Sequence, residues 1–213
     1  RAGVEVRAGA ERPLLRPPRA AYEVHGPTGI DGWDWPAALR GPEPGHAVDW
    51  MVETLAAAPA GTVTVVCLGP QTNLALALAR SPGLARAIGR VVFMGGGFFE
   101  GGNMSPAAEY NILVDPEAAA MVLDSGIPCT AVPLDCTHSA PAPPGWAEAL
   151  DALGTPVGDA CAGMMRFFER FGNAKYGTTE RPLHDALAIG WLLWPELYEG
   201  RACPVAVELQ GAL

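Results

Sequence analysis

The sequence has few basic residues and no cluster of them. It contains 14 Lys and Arg against 23 Asp and Glu, which gives a formal net charge of −9. Proteins that bind nucleic acid carry a basic patch that neutralises phosphates, and this chain has none. The charge pattern therefore excludes nucleic acid and other polyanions as partners.

Cysteines and long apolar runs are also scarce. The five cysteines are scattered and never form a Cys-x-x-Cys pair, which excludes a disulfide framework and a zinc site. They indicate small core residues in a reducing compartment, so we expect a cytoplasmic protein. No apolar run approaches the ~20 residues of a membrane helix, so we expect no membrane partner.

Two common catalytic motifs are missing. No Gly-x-Ser-x-Gly elbow occurs, which excludes acyl hydrolysis by a serine nucleophile of that kind. The glycines Gly95-Gly96-Gly97 follow an apolar strand, but the loop continues through Gly101-Gly102-Asn103 and no helix follows at once. The pattern therefore gives little support to a dinucleotide-binding site.

The length and apolar content allow one sizeable core. The chain has 213 residues, of which 49% are hydrophobic, somewhat more than the ~100–200 residues of one typical domain. It begins with Arg1 and stops shortly after Val205–Leu209, whose pattern predicts a strand. We interpret residues 1–213 as a single domain truncated at both ends.

Strand and helix signals alternate along the chain. Thr62–Leu68, Arg90–Met94 and Ile127–Leu134 are short apolar runs that predict buried strands. Between them, Thr72–Arg80 is rich in Ala and Leu, and Asp115-Pro116 offers an N-cap and a first helical residue. The pattern predicts an α/β fold with an open, mostly parallel, Rossmann-like sheet covered by helices on both faces. In such sheets, ligands bind beyond the carboxyl ends of the strands.

Glu109 and Asn111 form a candidate sugar-binding pair. They are two residues apart in a stretch that ends in Ile112-Leu113-Val114, and in an extended chain their side chains would leave the same face. A carboxylate and an amide suit the cis hydroxyls of ribose, and Asn103 on the preceding loop could close the pocket. The alternative is a strand with a polar outer face.

Two histidines stand in distinctive positions. His184 and Asp185 precede an apolar helix, whose N-terminus favours the Asp185 carboxylate and a neutral imidazole. His25 lies between glycine-rich turns in a polar loop of the kind that can cover a site. The alternatives are an N-cap with a surface histidine for the first pair, and an ordinary exposed loop for the second.

Six motifs, in this order, resemble the inosine-uridine-preferring nucleoside hydrolases over nearly the whole chain. They are Leu68-Gly69-Pro70-Gln71-Thr72-Asn73-Leu74-Ala75, Met94-Gly95-Gly96-Gly97, Gly102-Asn103, Ala108–Glu117, Leu134-Asp135-Cys136-Thr137-His138 and Pro182-Leu183-His184-Asp185. The resemblance implies calcium-dependent hydrolysis of the N-glycosidic bond of ribonucleosides, a step in nucleoside catabolism and purine and pyrimidine salvage. It also implies a homodimer or homotetramer.

The resemblance assigns roles to eight residues. It implies that Asp185 and the Leu68 carbonyl bind Ca²⁺, and that His184 is the general acid beside the leaving base. The ribose contacts that it implies are Asn103, Glu109, Asn111, the pocket-lining Met94, and His25 near the 5′ side.

One departure from the family pattern affects the metal. The family's first strand ends in an Asp-x-Asp-x-x-x-Asp-Asp motif, which supplies most calcium ligands, and this sequence contains no such run. Calcium takes 6–8 oxygens, so residues 1–213 by themselves are expected to be inactive. Two hypotheses follow: a nucleoside hydrolase whose remaining segments lie outside this sequence, or a non-catalytic ribose- or nucleoside-binding relative.

Overall fold

The computed structural model describes residues 4–176 and 181–210, without the side chains of 171–176 and 181. The helices, in chain order, are α1 Tyr22–His25, α2 Ala47–Ala57, α3 Thr72–Arg80, α4 Tyr110–Val114, α5 Pro116–Leu123, α6 Leu134–Thr137, α7 Trp146–Asp151, α8 Pro156–Tyr176 and α9 His184–Leu193. The strands are β1 Val63–Cys67, β2 Ile88–Met94, β3 Cys129–Val132, β4 Pro141–Ala142 and β5 Arg181–Pro182. Two 3₁₀ turns are Pro82–Ala87 and Pro195–Leu197.

The described residues form two compact units. The first draws on Arg1–Pro18, Pro42–Thr137 and His184–Leu213, and the second on Arg19–Gly41 and His138–Leu183. The first unit holds β1, β2 and β3, together with α2 to α6 and α9. That residues 1–213 act as one truncated domain stays a prediction.

A parallel sheet organises the first unit. Its strand order is β1-β2-β3, with β2 parallel to both neighbours. Cys67 lies beside Phe93, and Met94 lies beside Val132. Because the strands are parallel, their carboxyl ends share one edge, and Leu68, directly after β1, is level with Met94 there.

Helices cover both faces of this sheet. Val91 and Phe93 belong to one apolar cluster, which contains residues of α2, α3 and α5. Val92 and Met94 belong to the other, which contains residues of α9. Since successive side chains of a strand point to opposite faces, the two clusters lie on the two faces. The predicted α/β fold is therefore confirmed.

Local sequence signals place α5, as predicted. The Asp115 carboxylate accepts a hydrogen bond from the Ala118 N–H at 3.1 Å, and Pro116 is the first helical residue. Asp115 is completely buried and also accepts from the Thr72 hydroxyl at 2.5 Å and the Leu14 N–H at 3.0 Å. One carboxylate thus joins α5, the start of α3 and the N-terminal segment.

Two strand predictions are wrong. Residues 110–114 form α4 instead of an extended segment, because the Glu109 side chain caps the backbone N–H groups of Asn111 and Ile112. Val205–Leu209 has no strand assignment. A strand needs a pairing partner, and none of the described strands pairs with this segment.

The second unit is built around α8. This helix packs against α1 and α7, and β4 pairs with β5 in an antiparallel ribbon. Gly32 approaches the backbone of Gly163 so closely that a Cβ at either position would clash with the other residue. Among the described residues, no helix is both long and apolar enough to cross a membrane.

Candidate active site

The carboxyl end of β2 receives the Asn111 side chain. Asn111 Nδ2 donates to the Met94 carbonyl at 3.1 Å and lies 3.5 Å from Met94 Sδ. Met94 is 2% exposed and Asn111 is 7% exposed. Asn111 therefore reaches the strand end predicted for ligand binding, although it leaves from a helix.

Glu109 reaches the same edge as the N-cap of α4. Its carboxylate accepts from the Asn111 N–H at 2.9 and 3.0 Å, and from the N–H groups of Ile112 and Gly96 at 3.3 and 3.2 Å. Most of these bonds reach Oε2, whereas Oε1 accepts only the Asn111 N–H among the contacts described. A carboxylate offers about four acceptor positions, so Oε1 retains capacity for a hydroxyl donor.

Burial raises the pKa of Glu109 above its usual range. The N–H groups of Asn111, Gly96 and Ile112 oppose this shift, and the negative charge of Asp185 adds to it. Ala188, in the first half of α9, belongs to the same apolar cluster as Met94 at the end of β2. The N-terminus of α9 therefore lies near the carboxyl end of β2.

The loop between β2 and α4 is shaped by glycines. Gly96 has φ +84°, and a Cβ at Gly97 would clash with the Gly101 carbonyl oxygen. Further along this loop, Asn103 Oδ1 accepts from the Tyr110 N–H at 2.9 Å. Asn103 therefore lies next to the residue that follows Glu109.

The one-turn helix α6 binds this loop. The Leu134 N–H donates to the Gly96 carbonyl at 2.9 Å. The Asp135 carboxylate accepts from three consecutive N–H groups, those of Phe98 and Phe99 at 2.7 Å and that of Glu100 at 3.1 Å. Burial by itself would raise the pKa of Asp135, but these hydrogen bonds lower it below its usual range.

His184 is the first residue of α9 and contacts α6. Its Nδ1 lies 2.8 Å from Thr137 Oγ1, and the Thr137 side chain is completely buried. Asp185, the next residue, is exposed and lies in the first turn, where the helix dipole favours its negative charge. The predicted helix start at this pair is confirmed.

The structure gathers most of the predicted site residues in the first unit. Met94, Asn103, Glu109 and Asn111 are linked by the contacts above. His184, which precedes Asp185, contacts α6, and α6 bonds the same loop at Gly96. Their roles toward a ligand stay predictions.

His25 lies in the second unit. It ends the one-turn helix α1 instead of lying in an open loop, and its ring stacks on Phe168 with centroids 6.1 Å apart. Its role beside the 5′ side stays a prediction.

Sequence reasoning assigned no role to Asp135 or Thr137. Both belong to the motif Leu134–His138, which directly follows the strand β3. This position at a strand end is the signal that could have pointed to them. Their partners are 35–37 and 47 residues away in the chain, so no local pattern identifies them.

A family model described as inosine-uridine preferring nucleoside hydrolase matches residues 1–213. The chain belongs to this family. The fold and the family therefore agree, and the family places the protein among nucleoside-hydrolysing enzymes.

Two relatives show how far the similarity to other sequences extends. An uncharacterized protein of Schizosaccharomyces pombe is 43% identical over 213 residues, which is 100% of this chain and 69% of the relative. The pyrimidine-specific ribonucleoside hydrolase RihA of Citrobacter koseri is 44% identical over 209 residues, 98% of this chain and 66% of its own length.

A solved nucleoside hydrolase structure has the same fold. The purine-preferring ribonucleoside hydrolase from Gardnerella vaginalis superposes with a TM-score of 0.91 at 28% identity, covering 98% of this chain and 67% of that one. The chain thus spans about two thirds of the length of the relatives it matches.

Nucleoside hydrolases of this family use a metal ion. Among residues 4–176 and 181–210, no three His, Cys, Asp or Glu side chains come together as a metal site. Asp185 and the Leu68 carbonyl would supply two oxygens, fewer than the 6–8 that calcium takes. The described residues by themselves therefore do not fit a complete calcium site.

Proposed function

We propose that the complete protein hydrolyses the N-glycosidic bond of ribonucleosides and releases ribose and a free base. A chain of hydrogen bonds carries this proposal: the Gly96 N–H donates to Glu109, the Gly96 carbonyl accepts from the Leu134 N–H of α6, and Thr137 of α6 contacts the His184 ring. It brings the predicted ribose-binding pair and the predicted acid–metal pair to the same strand ends.

The ribose-binding role rests on hydrogen-bonding capacity. The Glu109 carboxylate accepts from a hydroxyl, and the Asn111 amide can both donate and accept, which matches a cis diol. The Asn103 side chain borders the Glu109–Asn111 pair on the loop side, and Met94 lines the bottom of the pocket. Because these groups are held by backbone hydrogen bonds, little ordering remains to be done when the sugar binds.

The charge of the site suits an oxocarbenium-like transition state. As the bond to the base breaks, positive charge develops on the sugar, and the Glu109 carboxylate stabilises it. His184 donates a proton to the leaving base. The net reaction adds hydroxide from water to the anomeric carbon and leaves the water's other proton on the base.

We further propose that the metal is Ca²⁺, with Asp185 and the Leu68 carbonyl among its ligands. Residues 1–213 by themselves should then be inactive, because they lack the remaining oxygens. The alternative function is a non-catalytic protein that binds ribose or nucleosides.

The test is ribose release by the complete protein with uridine, cytidine and inosine, with and without Ca²⁺. Pyrimidine nucleosides are the first choice because RihA, at 44% identity, is described as pyrimidine-specific. Glu109→Gln should raise the KM for every nucleoside, whereas Asp49→Asn, which breaks a surface ion pair with Arg80, should not. Binding without ribose release in the wild-type protein would establish the alternative instead.

We also propose that the protein assembles as a homodimer or homotetramer. Light scattering on the complete protein gives its mass directly. A monomer at micromolar concentration would contradict this.

A further inference from the structure

We propose that α6 is the positioning element of the site: Asp135 holds the ribose-binding loop, and Thr137 holds the His184 ring. This inference rests on the proposed function. It assigns roles to two residues that touch neither ribose nor base in the mechanism above.

Asp135 acts on the sugar side. Three successive N–H groups, from Phe98 to Glu100, converge on its carboxylate at 2.7–3.1 Å. Hydrogen bonds to an ionised acceptor are about twice as strong as neutral ones. The clamped residues lie between Gly96, whose N–H donates to Glu109, and Asn103, whose side chain accepts from Tyr110. Holding residues 98–100 in place therefore also holds Gly96 beside Glu109 and Asn103 beside Tyr110.

Thr137 acts on the base side. It ends the same helical turn, and its hydroxyl engages Nδ1 of His184 at 2.8 Å. Among the described residues, Thr137 Oγ1 has no other hydrogen-bond partner. Engagement of Nδ1 sets the rotation of the ring and the tautomer that the ring adopts.

The two contacts predict separable kinetic defects. Loss of the Asp135 clamp displaces the sugar and affects all ribosides alike. Loss of the Thr137 hydroxyl misdirects the proton donor and affects only substrates whose base needs a proton to leave. A general loss of structure in α6 would not separate into an effect on all ribosides and an effect on one class of substrate.

The Asp135 arm uses Asp135→Asn in the complete protein. We expect KM to rise on the order of tenfold or more for inosine and for an activated aryl riboside alike. Amide hydrogen exchange at residues 98–100 should accelerate, and Asn103→Ala should add little further loss in KM. Unchanged exchange at 98–100, or full additivity with Asn103→Ala, would overturn this arm.

The Thr137 arm compares Thr137→Val, which keeps the shape, with Thr137→Ser, which keeps the hydroxyl. In Thr137→Val, kcat for inosine should fall on the order of tenfold to hundredfold, and that for the aryl riboside by no more than about twofold. Thr137→Ser should restore most of the loss. The control is Thr62→Val, which removes a hydroxyl bonded to Pro59 at the opposite end of β1. Equal losses on both substrates, or no rescue by serine, would overturn this arm.

The readouts also separate this inference from the proposed function. If the wild-type protein releases no ribose, the proposed function fails, and α6 is judged without turnover. Faster exchange at 98–100 in Asp135→Asn would then still support the clamp. A change of the His184 tautomer in Thr137→Val, read from imidazole ¹⁵N shifts at fixed pH, would support the second contact. Absence of both changes would refute the inference.

Discussion

At the scale of single residues, the leaving group tests the role of His184. We expect His184→Ala to lower kcat for inosine by about 10²–10⁴, because the purine must leave without a donated proton. An activated aryl riboside leaves as a stabilised anion and should lose far less. Steady-state kinetics on both substrates measures the difference, and equal losses would remove His184 from the acid role.

The sequence predicted that Glu109 and Asn111 lie together, but not the geometry that brings them together. Both side chains lie at the carboxyl end of β2, although the predicted reason, alternation along a strand, is wrong. The run Ile112-Leu113-Val114 has the composition of a strand, and Glu is not among the usual N-cap residues. The Glu109 carboxylate nevertheless caps α4, because burial beside Gly96 gives it backbone donors from two segments.

At the scale of secondary-structure elements, Asp115 joins three of them. We expect Asp115→Asn to lower the free energy of unfolding by about 2–3 kcal/mol, because the amide presents donors where the carboxylate only accepts. Thr72→Val removes one of the same hydrogen bonds and should cost about 1 kcal/mol. Denaturant unfolding of both variants measures the difference, and an equal cost would show that the buried charge has no role of its own.

The Asp135 clamp has a predicted pH range. The folded pKa of Asp135 lies below its unfolded value of ~3.9, so its contribution is complete above that value and is lost as the pH falls through the lower, folded pKa. Amide protection at residues 98–100 should therefore persist to below pH ~4. Hydrogen exchange corrected for intrinsic rates measures it, and Asp135→Asn should show no such transition. A loss of protection beginning above pH 5 in the wild-type protein would contradict the clamp.

Elements with strong local signals were predictable, and those set by distant contacts were not. α3 was predicted with its observed bounds, Thr72–Arg80, because Ala and Leu favour helix and Ser81-Pro82 ends it. α6 has no such signal in Leu134–Thr137. It follows the strand β3, and its side chains bond to residues 98–100 and to His184. These partners are distant in the sequence and come close only in the folded protein.

At the scale of the whole molecule, long-range contacts tie the ends of the first unit together. Arg16 donates to the Glu117 carboxylate at 2.8 Å and to the Leu209 carbonyl at 2.9 Å. These partners are 101 and 193 residues away in the chain. The segments around Arg16 and Leu209 have no regular secondary structure, yet they belong to the same unit as the sheet. The spacing of apolar residues in the sequence does not indicate this.

Metal binding provides the prediction for the complete protein. A ligand at 100 times its Kd stabilises the folded state by about 2.7 kcal/mol, so Ca²⁺ should raise the Tm of the complete protein. Residues 1–213 by themselves should show no such shift, because Asp185 and the Leu68 carbonyl supply too few oxygens. In the complete protein, Asp185→Ala should move the shift to higher Ca²⁺ concentration, whereas Asp49→Asn should leave it unchanged. Thermal unfolding at increasing Ca²⁺ concentrations measures the shift in the complete protein, in residues 1–213, and in the two variants. A Ca²⁺-dependent shift in residues 1–213 by themselves would show that this chain holds the ion with ligands other than those proposed.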